Sequence, residues 1–282
     1  MERYLRADPV LHAYGLGDLD EYFRPHTTWY ADDAEDPQAL ILRYQPGNAS
    51  PVYHALGGPE TAAAFARLLL KLRPTFPDDF EVHISPAIHV RAAEQKLFRD
   101  FHISRRELHH KMEWRPPEKD REEGGMDSKL AGAGLANSSR SDSGHAVTFQ
   151  ISVATRADRA DLERLYQEAY SENWFDPRML ATGVYLIARA GNHLAGVAGV
   201  HVYSEAYRVA ALGNITTHPD FRRQGVARLL TEQLCELLRR NGIETITLNV
   251  KAFNKAAISC YAPLGFRFYA DYEELSLTRP DP

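Results

Sequence analysis

The stretch from Thr217 to Arg228 has the residue types and the setting of a phosphate-binding loop. It follows a strand-like segment, leads into a long helical pattern, and contains the turn residues Pro219 and Gly225. The first N–H groups of a helix have no partner within the helix, and the helix dipole places partial positive charge beside them. Backbone amides at this point can therefore hold a diphosphate. The candidate residues are Arg222, Arg223, Gln224, Gly225, Val226, Ala227 and Arg228.

The side chains of this loop favour the same chemistry. Gly225 and Ala227 have little or no side chain, which lets a bulky diphosphate approach the backbone, and the arginines add positive charge at the rim. A glycine-containing turn alone is also typical of an ordinary helix start. Two longer motifs are more specific: Arg222-x-x-Gly225-x-Ala227 and Asn254-x-x-Ala257-x-x-x-Tyr261-x-x-Leu264-Gly265-Phe266. They resemble the acyl-CoA signature and the second motif of the GCN5-related N-acetyltransferase (GNAT) superfamily.

The resemblance implies an acyl-CoA, acetyl-CoA by default, in a V-shaped opening between two neighbouring parallel strands. In this chain the strands would be residues 208–217 and 243–250. Backbone groups of Ile215, Thr216 and Thr217 would pair with the pantetheine arm and the thioester carbonyl. An amide directed at that carbonyl would stabilise the oxyanion of the tetrahedral intermediate.

The second motif supplies two further expected roles. Asn254 would hydrogen-bond the pantetheine arm, although an asparagine at a helix start is also a common N-cap. Tyr261 would act as the general acid that protonates the departing CoA thiolate. A phenol with a pKa near 10 and a thiol with a pKa near 8.5 can share a proton across a short hydrogen bond. A core aromatic on a helix face is the alternative interpretation of Tyr261.

The general base departs from the family pattern. An amine with a pKa near 10 must lose a proton before it attacks a thioester. Many family members place a glutamate on one of the two strands that lead to the motifs. Glu205 and His201, near the end of the preceding strand, are candidate substitutes, and a water chain to bulk solvent is the alternative. The strands themselves offer only Asn214, Thr216, Thr217 and Asn249.

The acceptor pocket of this family is walled by the first two helices and the last hairpin. The matching stretches are residues 171–176 and 271–274, which combine carboxylates with aromatic rings. Such residues can receive a cationic amine through charge and ring-face contact. A solvated rim is the alternative interpretation.

The elements that must position these residues follow from the sequence pattern. Gly191-Asn192 joins two strand-like segments as a hairpin, and a long amphipathic helix ends at Gly242. The predicted strands are 148–155, 184–190, 194–203, 208–217 and 243–250, followed by two strand-like segments within 266–277. The predicted helices are 158–170, 224–241 and 254–264.

The N-terminal half has its own mixed α/β pattern without a phosphate loop. It predicts strands at 39–44, 52–56, 80–84 and 108–114 and a helix at 60–72. We therefore expect an α/β (α+β) fold, with a mixed central sheet flanked by helices. The expected organisation is a smaller N-terminal domain at 1–115, similar to a degenerate GNAT copy, a flexible linker at 116–146 and a GNAT domain at 147–282.

Composition limits the partners. A net charge of −5 argues against a nucleic-acid binder, and no apolar stretch is long enough to span a membrane, so we expect a cytoplasmic protein, as a monomer or homodimer. Cys235 and Cys260 both lie in helical patterns, which favours a structural role as buried packing residues. His102, His109 and His110 have no supporting ligands at a recognisable spacing, so no metal is expected.

The predicted function is therefore transfer of an acetyl group from acetyl-CoA to a primary amine. The alternative is a non-catalytic acyl-CoA sensor, which the missing carboxylate base suggests. Tyr261 favours the enzyme, because a protein that only binds acyl-CoA needs no proton donor at the thiolate.

Overall fold

The computed structural model describes residues 1–21, 23–116, 138–140 and 147–280, with only the backbone at 138–140 and 147. Most of the predicted linker at 116–146 therefore lies outside the described residues. The chain divides into two compact units. The first comprises Met1–Met112, Asn249–Lys255 and Phe268–Pro282, and the second comprises Glu113–Leu248 and Ala256–Arg267. The predicted domain boundaries stay a prediction.

The helices and strands follow one another along the chain in a mixed order. They are α1 (Glu2–Ala7), α2 (Ala13–Gly17), β1 (Thr27–Ala31), β2 (Leu40–Tyr44), β3 (Val52–Ala55), α3 (Ala62–Leu72), β4 (Asp79–Ile84), α4 (Pro86–Glu94), β5 (His102–Trp114), β6 (Ser138–Arg140), β7 (Val147–Val153), α5 (Arg159–Ala169), β8 (Leu186–Ala190), β9 (His193–Ser204), β10 (Val209–Thr217), α6 (Val226–Arg240), β11 (Thr245–Lys251), α7 (Lys255–Tyr261) and β12 (Phe266–Thr278). Short 3₁₀ turns are Arg24–His26, Arg73–Thr75, Arg156–Asp158, Pro177–Thr182, Pro219–Phe221 and Ala262–Leu264.

The second unit is built on a mixed sheet in the order β11-β10-β9-β8-β7-β6. β10 and β11 are parallel, joined by the crossover helix α6, and the remaining neighbours are antiparallel. The buried face of α6 comprises Val226, Leu230, Thr231, Leu234, Cys235 and Leu238. This confirms the predicted α/β class with a mixed sheet and helices, and the predicted hairpin of β8 and β9.

The first unit has strands in the order β1-β2-β3-β4-β12-β5. β3 and β4 are parallel and are joined by α3, while β1–β2, β2–β3 and β4–β12 are antiparallel. Its core contains the fully buried Phe65 and Tyr53 together with Phe80. β1, α1, α2 and α4 were not predicted, and the predicted pair of C-terminal segments forms the single strand β12.

None of the described helices is both long and apolar enough to cross a lipid bilayer.

Candidate active site

The junction of β10 and α6 brings unpaired backbone amides to one loop. The Pro219–Phe221 turn follows β10, and its first N–H is capped by the His218 ring. Arg223 and Gly225 then take left-handed backbone conformations, with φ of 63° and 82°. Glycine adopts this conformation without steric cost, and α6 begins directly after it at Val226.

The backbone amides and arginine charges at this junction have no partner among the residues that the structure describes. In the part of the chain that the structure describes, the N–H groups of residues 224–228 have no hydrogen-bond acceptor. Arg222, Arg223 and Arg228 have no carboxylate partner there, and all three are exposed. A helix N-terminus of this kind, surrounded by free arginines, binds anions.

Gly196 of β9 fixes the position of this junction. It pairs with Thr217 at the end of β10. A Cβ atom at residue 196 would lie 2.7 Å from Cγ1 of Val226 and 2.9 Å from the carbonyl oxygen of Thr216. Only glycine therefore permits β9, the end of β10 and the start of α6 to approach this closely. The sequence signal was a glycine within a strand pattern, which marks a close backbone approach.

The parallel ladder between β10 and β11 ends before β10 does. It runs from Val209↔Thr245 to Leu212↔Leu248, whereas β10 continues to Thr217. Among the described residues, the β11 side of residues 213–217 is therefore without strand pairing. On its other side β10 contains a bulge between Gly213 and Thr216. The polar backbone of this β10 segment is available to a ligand that lies along it.

Asn214 is the residue at the bulge, and its side chain organises a buried hydrogen-bond network. It has a positive φ of 54° and is 2% exposed. Its Oδ1 accepts from the Trp174 N–H at 3.0 Å, and its Nδ2 donates to the Tyr185 hydroxyl at 2.9 Å. Its backbone carbonyl accepts from the Tyr166 hydroxyl at 2.9 Å. These bonds hold the bulge against the loop that follows α5.

The same network fixes the proton on His201. The Nε2 atom of His201 lies 3.2 Å from Asn214 Oδ1. Because that oxygen already accepts from Trp174, its orientation is set and His201 Nε2 must carry the proton when the ring is neutral. The lone pair of neutral His201 is therefore on Nδ1. Of the two candidate bases, His201 lies beside the bulge.

Comparison with known proteins identifies the family. The sequence model described as the acetyltransferase (GNAT) family matches residues 129–266. The ribosomal protein bS18-alanine N-acetyltransferase of Salmonella typhimurium is 32% identical over 120 residues, which cover 41% of this chain and 79% of the relative. The chain belongs to the GNAT family. The Escherichia coli K12 protein of the same name is 47% identical over 57 residues, which cover 20% of this chain, and the match spans only 38% of that relative's length.

GNAT proteins also share the fold over most of the chain. One solved structure is a tandem GNAT protein from the clavulanic acid biosynthesis pathway, without acetyl-CoA. Its match covers 94% of this chain and 88% of the other chain, with a TM-score of 0.52 and 14% identity. At this identity the likeness concerns the fold alone.

In this GNAT chain Tyr261 ends α7 as a buried residue, 9% exposed. Burial, with smaller contributions from Cys260 and Tyr170, raises the pKa of its phenol well above the ordinary value of 10.0. Tyr261 therefore stays protonated at neutral pH. Within the described residues its hydroxyl has no hydrogen-bond partner, and its ring contacts Phe266.

The second GNAT motif is divided between the two units: Asn254 belongs to the first unit, and residues 256–266 belong to the second. Burial raises the pKa of the Cys260 thiol, and the charge of Arg228 opposes that rise. Arg228 belongs to the first turn of α6, and Cys260 directly precedes Tyr261 in α7. Asn254 precedes α7 as an exposed residue, and its contact with pantetheine stays a prediction.

Glu205 lies at the opposite end of β10 from the loop. It follows β9 just before β10 begins, where Tyr203 donates to its carboxylate at 2.7 Å. With a rise of about 3.3 Å per residue, Val209 and Thr216 are separated by roughly 23 Å. The structure therefore does not place Glu205 in position to act as the base.

The two stretches expected to wall the acceptor pocket differ in their surroundings. In the 171–176 stretch, Trp174 is 54% exposed, and Phe175 packs between Tyr166 and Tyr185 at ring distances of 5.0 and 5.8 Å. Carboxylates of the 271–274 stretch are engaged within the first unit. Asp271 pairs with His110, and Glu273 pairs with His89 and Arg106.

Proposed function

We propose that this protein transfers an acetyl group from acetyl-CoA to a primary amine by direct attack on the thioester. The observation that carries the proposal is the junction at the start of α6. There, the amides of residues 224–228 and three arginines have no partner among the described residues, and they adjoin the end of β10, which pairs with β9 but not with β11. A CoA thioester matches both features, because its diphosphate is anionic and its pantetheine arm contains amides.

In the proposed complex the diphosphate binds residues Arg222 to Arg228. The pantetheine arm extends along β10 and pairs with backbone groups of Ile215, Thr216 and Thr217, with Asn254 as a further partner. This course leads from the start of α6 toward the Asn214 bulge. The thioester carbonyl then lies where a β10 amide stabilises the oxyanion.

The proposed proton transfers use residues on either side of the thioester. The ammonium form of the acceptor first loses a proton, which His201 Nδ1 accepts through water. The neutral amine nitrogen then forms a bond to the carbonyl carbon. As the C–S bond breaks, Tyr261 donates its proton to the departing thiolate sulfur, and the proton that the new amide nitrogen must still lose returns to the Tyr261 phenolate through water. The raised pKa of Tyr261 supports this role, because a protonated phenol is the form that donates.

For the acceptor we propose the 171–176 stretch, held to the bulge by the Trp174–Asn214 hydrogen bond. The exposed Trp174 ring is suited to contact a cationic amine. The Salmonella and Escherichia coli relatives are named for N-acetylation of an alanine in a ribosomal protein. A peptide with an N-terminal alanine is therefore the first acceptor to test. Location in the cytoplasm and a monomer or homodimer stay predictions.

We further propose that the first unit is a degenerate copy of the same fold. Like β10–α6–β11, its β3–α3–β4 segment is a crossover between parallel strands. In the loop before α3, however, the carboxylate of Glu60 packs against Gly58. A carboxylate at this point would repel a diphosphate, so this copy would not bind CoA.

A thiol-release assay with acetyl-CoA tests the function and separates it from the sensor alternative. The acceptors are an alanine-initiated peptide, the same peptide with an acetylated N-terminus, lysine, spermidine and an aminoglycoside. We expect release with at least one free amine and none with the blocked peptide. Saturable acetyl-CoA binding without turnover on any amine class would instead support the sensor.

A further inference from the structure

Two adjacent strands of the first unit bring together side chains that are typical metal ligands. Glu107 and His109 lie on β5, and Glu274 lies on the adjacent strand β12. One ligand atom from each of the three lies within 4.8 Å of the other two. We call this group the Glu107–His109–Glu274 cluster. It takes no part in the proposed acetyl transfer.

Two polar atoms of this cluster are buried without a partner. Nδ1 of His109 and Oε2 of Glu107 have no hydrogen-bond partner among the described residues. The His109 side chain is only 7% exposed, and its Nδ1 is 3.7 Å from Glu274 Oε1, beyond hydrogen-bond range. Buried polar atoms are rarely left in this state.

We propose that the Glu107–His109–Glu274 cluster binds a divalent transition-metal ion, with Zn²⁺ favoured by the imidazole and carboxylate donors. Two metal–ligand bonds of about 2.1 Å can span up to about 4.2 Å, so the 3.7 Å between His109 and Glu274 suits a shared ion. His83 of β4 offers a fourth ligand. Its buried, unpartnered Nε2 also lies 3.7 Å from Glu274 Oε1.

The surroundings orient the carboxylates of the cluster. Lys251 donates to Glu107 Oε1 at 3.1 Å, and the Tyr272 hydroxyl donates to Glu274 Oε1 at 3.0 Å. Hydrogen bonds of this kind to ligating carboxylates are common around metals.

Positive charge near the cluster is the main opposing factor. Arg105 lies 3.7 Å from Glu107 Oε2 and also pairs with Glu81. Lys111 is buried over the Tyr14 ring, with its Nζ atom 5.2 Å from the ring centroid. The carboxylate of Glu81 offsets the charge of Arg105, and the two carboxylates of the cluster match the two charges of Zn²⁺.

The sequence alone predicted no metal, because the ligands come from distant segments. Glu107 and His109 are close in the chain, but His83 and Glu274 reach them only through the order β4-β12-β5. A bound ion would cross-link these three strands, so we expect it to stabilise the first unit.

Metal content of the full-length protein tests this site. The protein is treated with chelator, dialysed against excess ZnCl₂ and then metal-free buffer, and measured by elemental mass spectrometry. His109→Gln is compared with His110→Gln, which changes the adjacent residue that pairs with Asp271 instead. We expect one Zn²⁺ per chain in wild type and His110→Gln, a higher midpoint of thermal unfolding with Zn²⁺, and at least about tenfold weaker binding in His109→Gln.

A second variant and a spectroscopic measurement keep the test valid if His109→Gln fails to fold. Glu274→Gln keeps the side-chain shape and removes a charged ligand, and we expect it to lose Zn²⁺ while its circular dichroism matches that of wild type. When Co²⁺ replaces Zn²⁺, wild type should show visible absorption and Glu274→Gln should show none. Absence of metal from wild type, or an equal Zn²⁺ content in folded Glu274→Gln, would overturn the proposal.

Discussion

At the scale of single residues, the site combines a protonated phenol with a polar bulge. Tyr261 is buried and its pKa is raised, so it remains a proton donor at neutral pH. Asn214 holds the bulge in a left-handed conformation through bonds to Trp174, Tyr185 and Tyr166. The proposed donor of the final proton and the proposed support of the oxyanion site are therefore both fixed by burial.

Tyr261→Phe should lower kcat by about 10²-fold and leave the Kd of CoA within about threefold of wild type. The phenyl ring keeps the packing but cannot protonate the thiolate. Tyr203→Phe, at the far end of β9, is the matched control and should retain activity. An equal loss of CoA affinity and turnover in Tyr261→Phe, measured by calorimetry and thiol release, would contradict the proton-donor role.

The raised pKa of Tyr261 also predicts a pH dependence. The protonated phenol is the active form, and its folded-state pKa lies above 10.0. The contribution of Tyr261 is therefore present at neutral pH and is lost only above about pH 10. We expect no decrease in wild-type kcat between about pH 8 and pH 10. A decrease that Tyr261→Phe lacks would show that the phenol ionises in this range.

His201→Gln should lower kcat/KM at neutral pH by at least about tenfold. Glutamine can still donate to Asn214 but cannot accept the proton of the amine. The Kd of CoA should stay within about threefold of wild type. His193→Gln, exposed at the start of β9, is the control and should retain activity. An unchanged kcat/KM in folded His201→Gln would assign the proton transfer to water alone.

At the scale of elements, the sequence predicted the loop and most of the second unit. The helix at 224–241 corresponds to α6, and the β8–β9 hairpin follows from Gly191-Asn192. The bulge at Asn214 could not be predicted, because a left-handed asparagine is stabilised here by partners that are distant in sequence. The distance of Glu205 from the loop, by contrast, follows from the predicted strand at 208–217, because residue 205 precedes that strand and the loop follows it.

Gly196→Ala should weaken CoA binding by about tenfold or more, because the added methyl group must displace Val226 or the Thr216 carbonyl. Affinity can be measured by calorimetry, and folding by thermal unfolding. Gly196→Ala/Val226→Ala removes the 2.7 Å side-chain clash and should recover part of the affinity. Unchanged CoA affinity in folded Gly196→Ala would show that the close approach does not position the loop.

At the scale of the whole molecule, two units with similar β–α–β crossovers differ in the charge at the start of the helix. The α6 loop contains free arginines, whereas the loop before α3 presents Glu60. From the absence of a phosphate motif in the N-terminal half, the sequence predicted that only the C-terminal half binds the diphosphate, and this stays a prediction. It did not predict that C-terminal residues 268–282 belong to the first unit, since β12 pairs with β4 through contacts across the chain.

The most direct test of the central claim is an NMR titration of the full-length, ¹⁵N-labelled protein with CoA. We expect the largest amide shifts to fall on residues 224–228, where helix N–H groups donate to the diphosphate. Arg239→Ala, at the other end of α6, is the control and should leave these shifts unchanged. The double variant Arg222→Ala/Arg223→Ala should need a higher CoA concentration to show the same shifts. Saturable CoA binding with unperturbed amides at 224–228 would contradict the account.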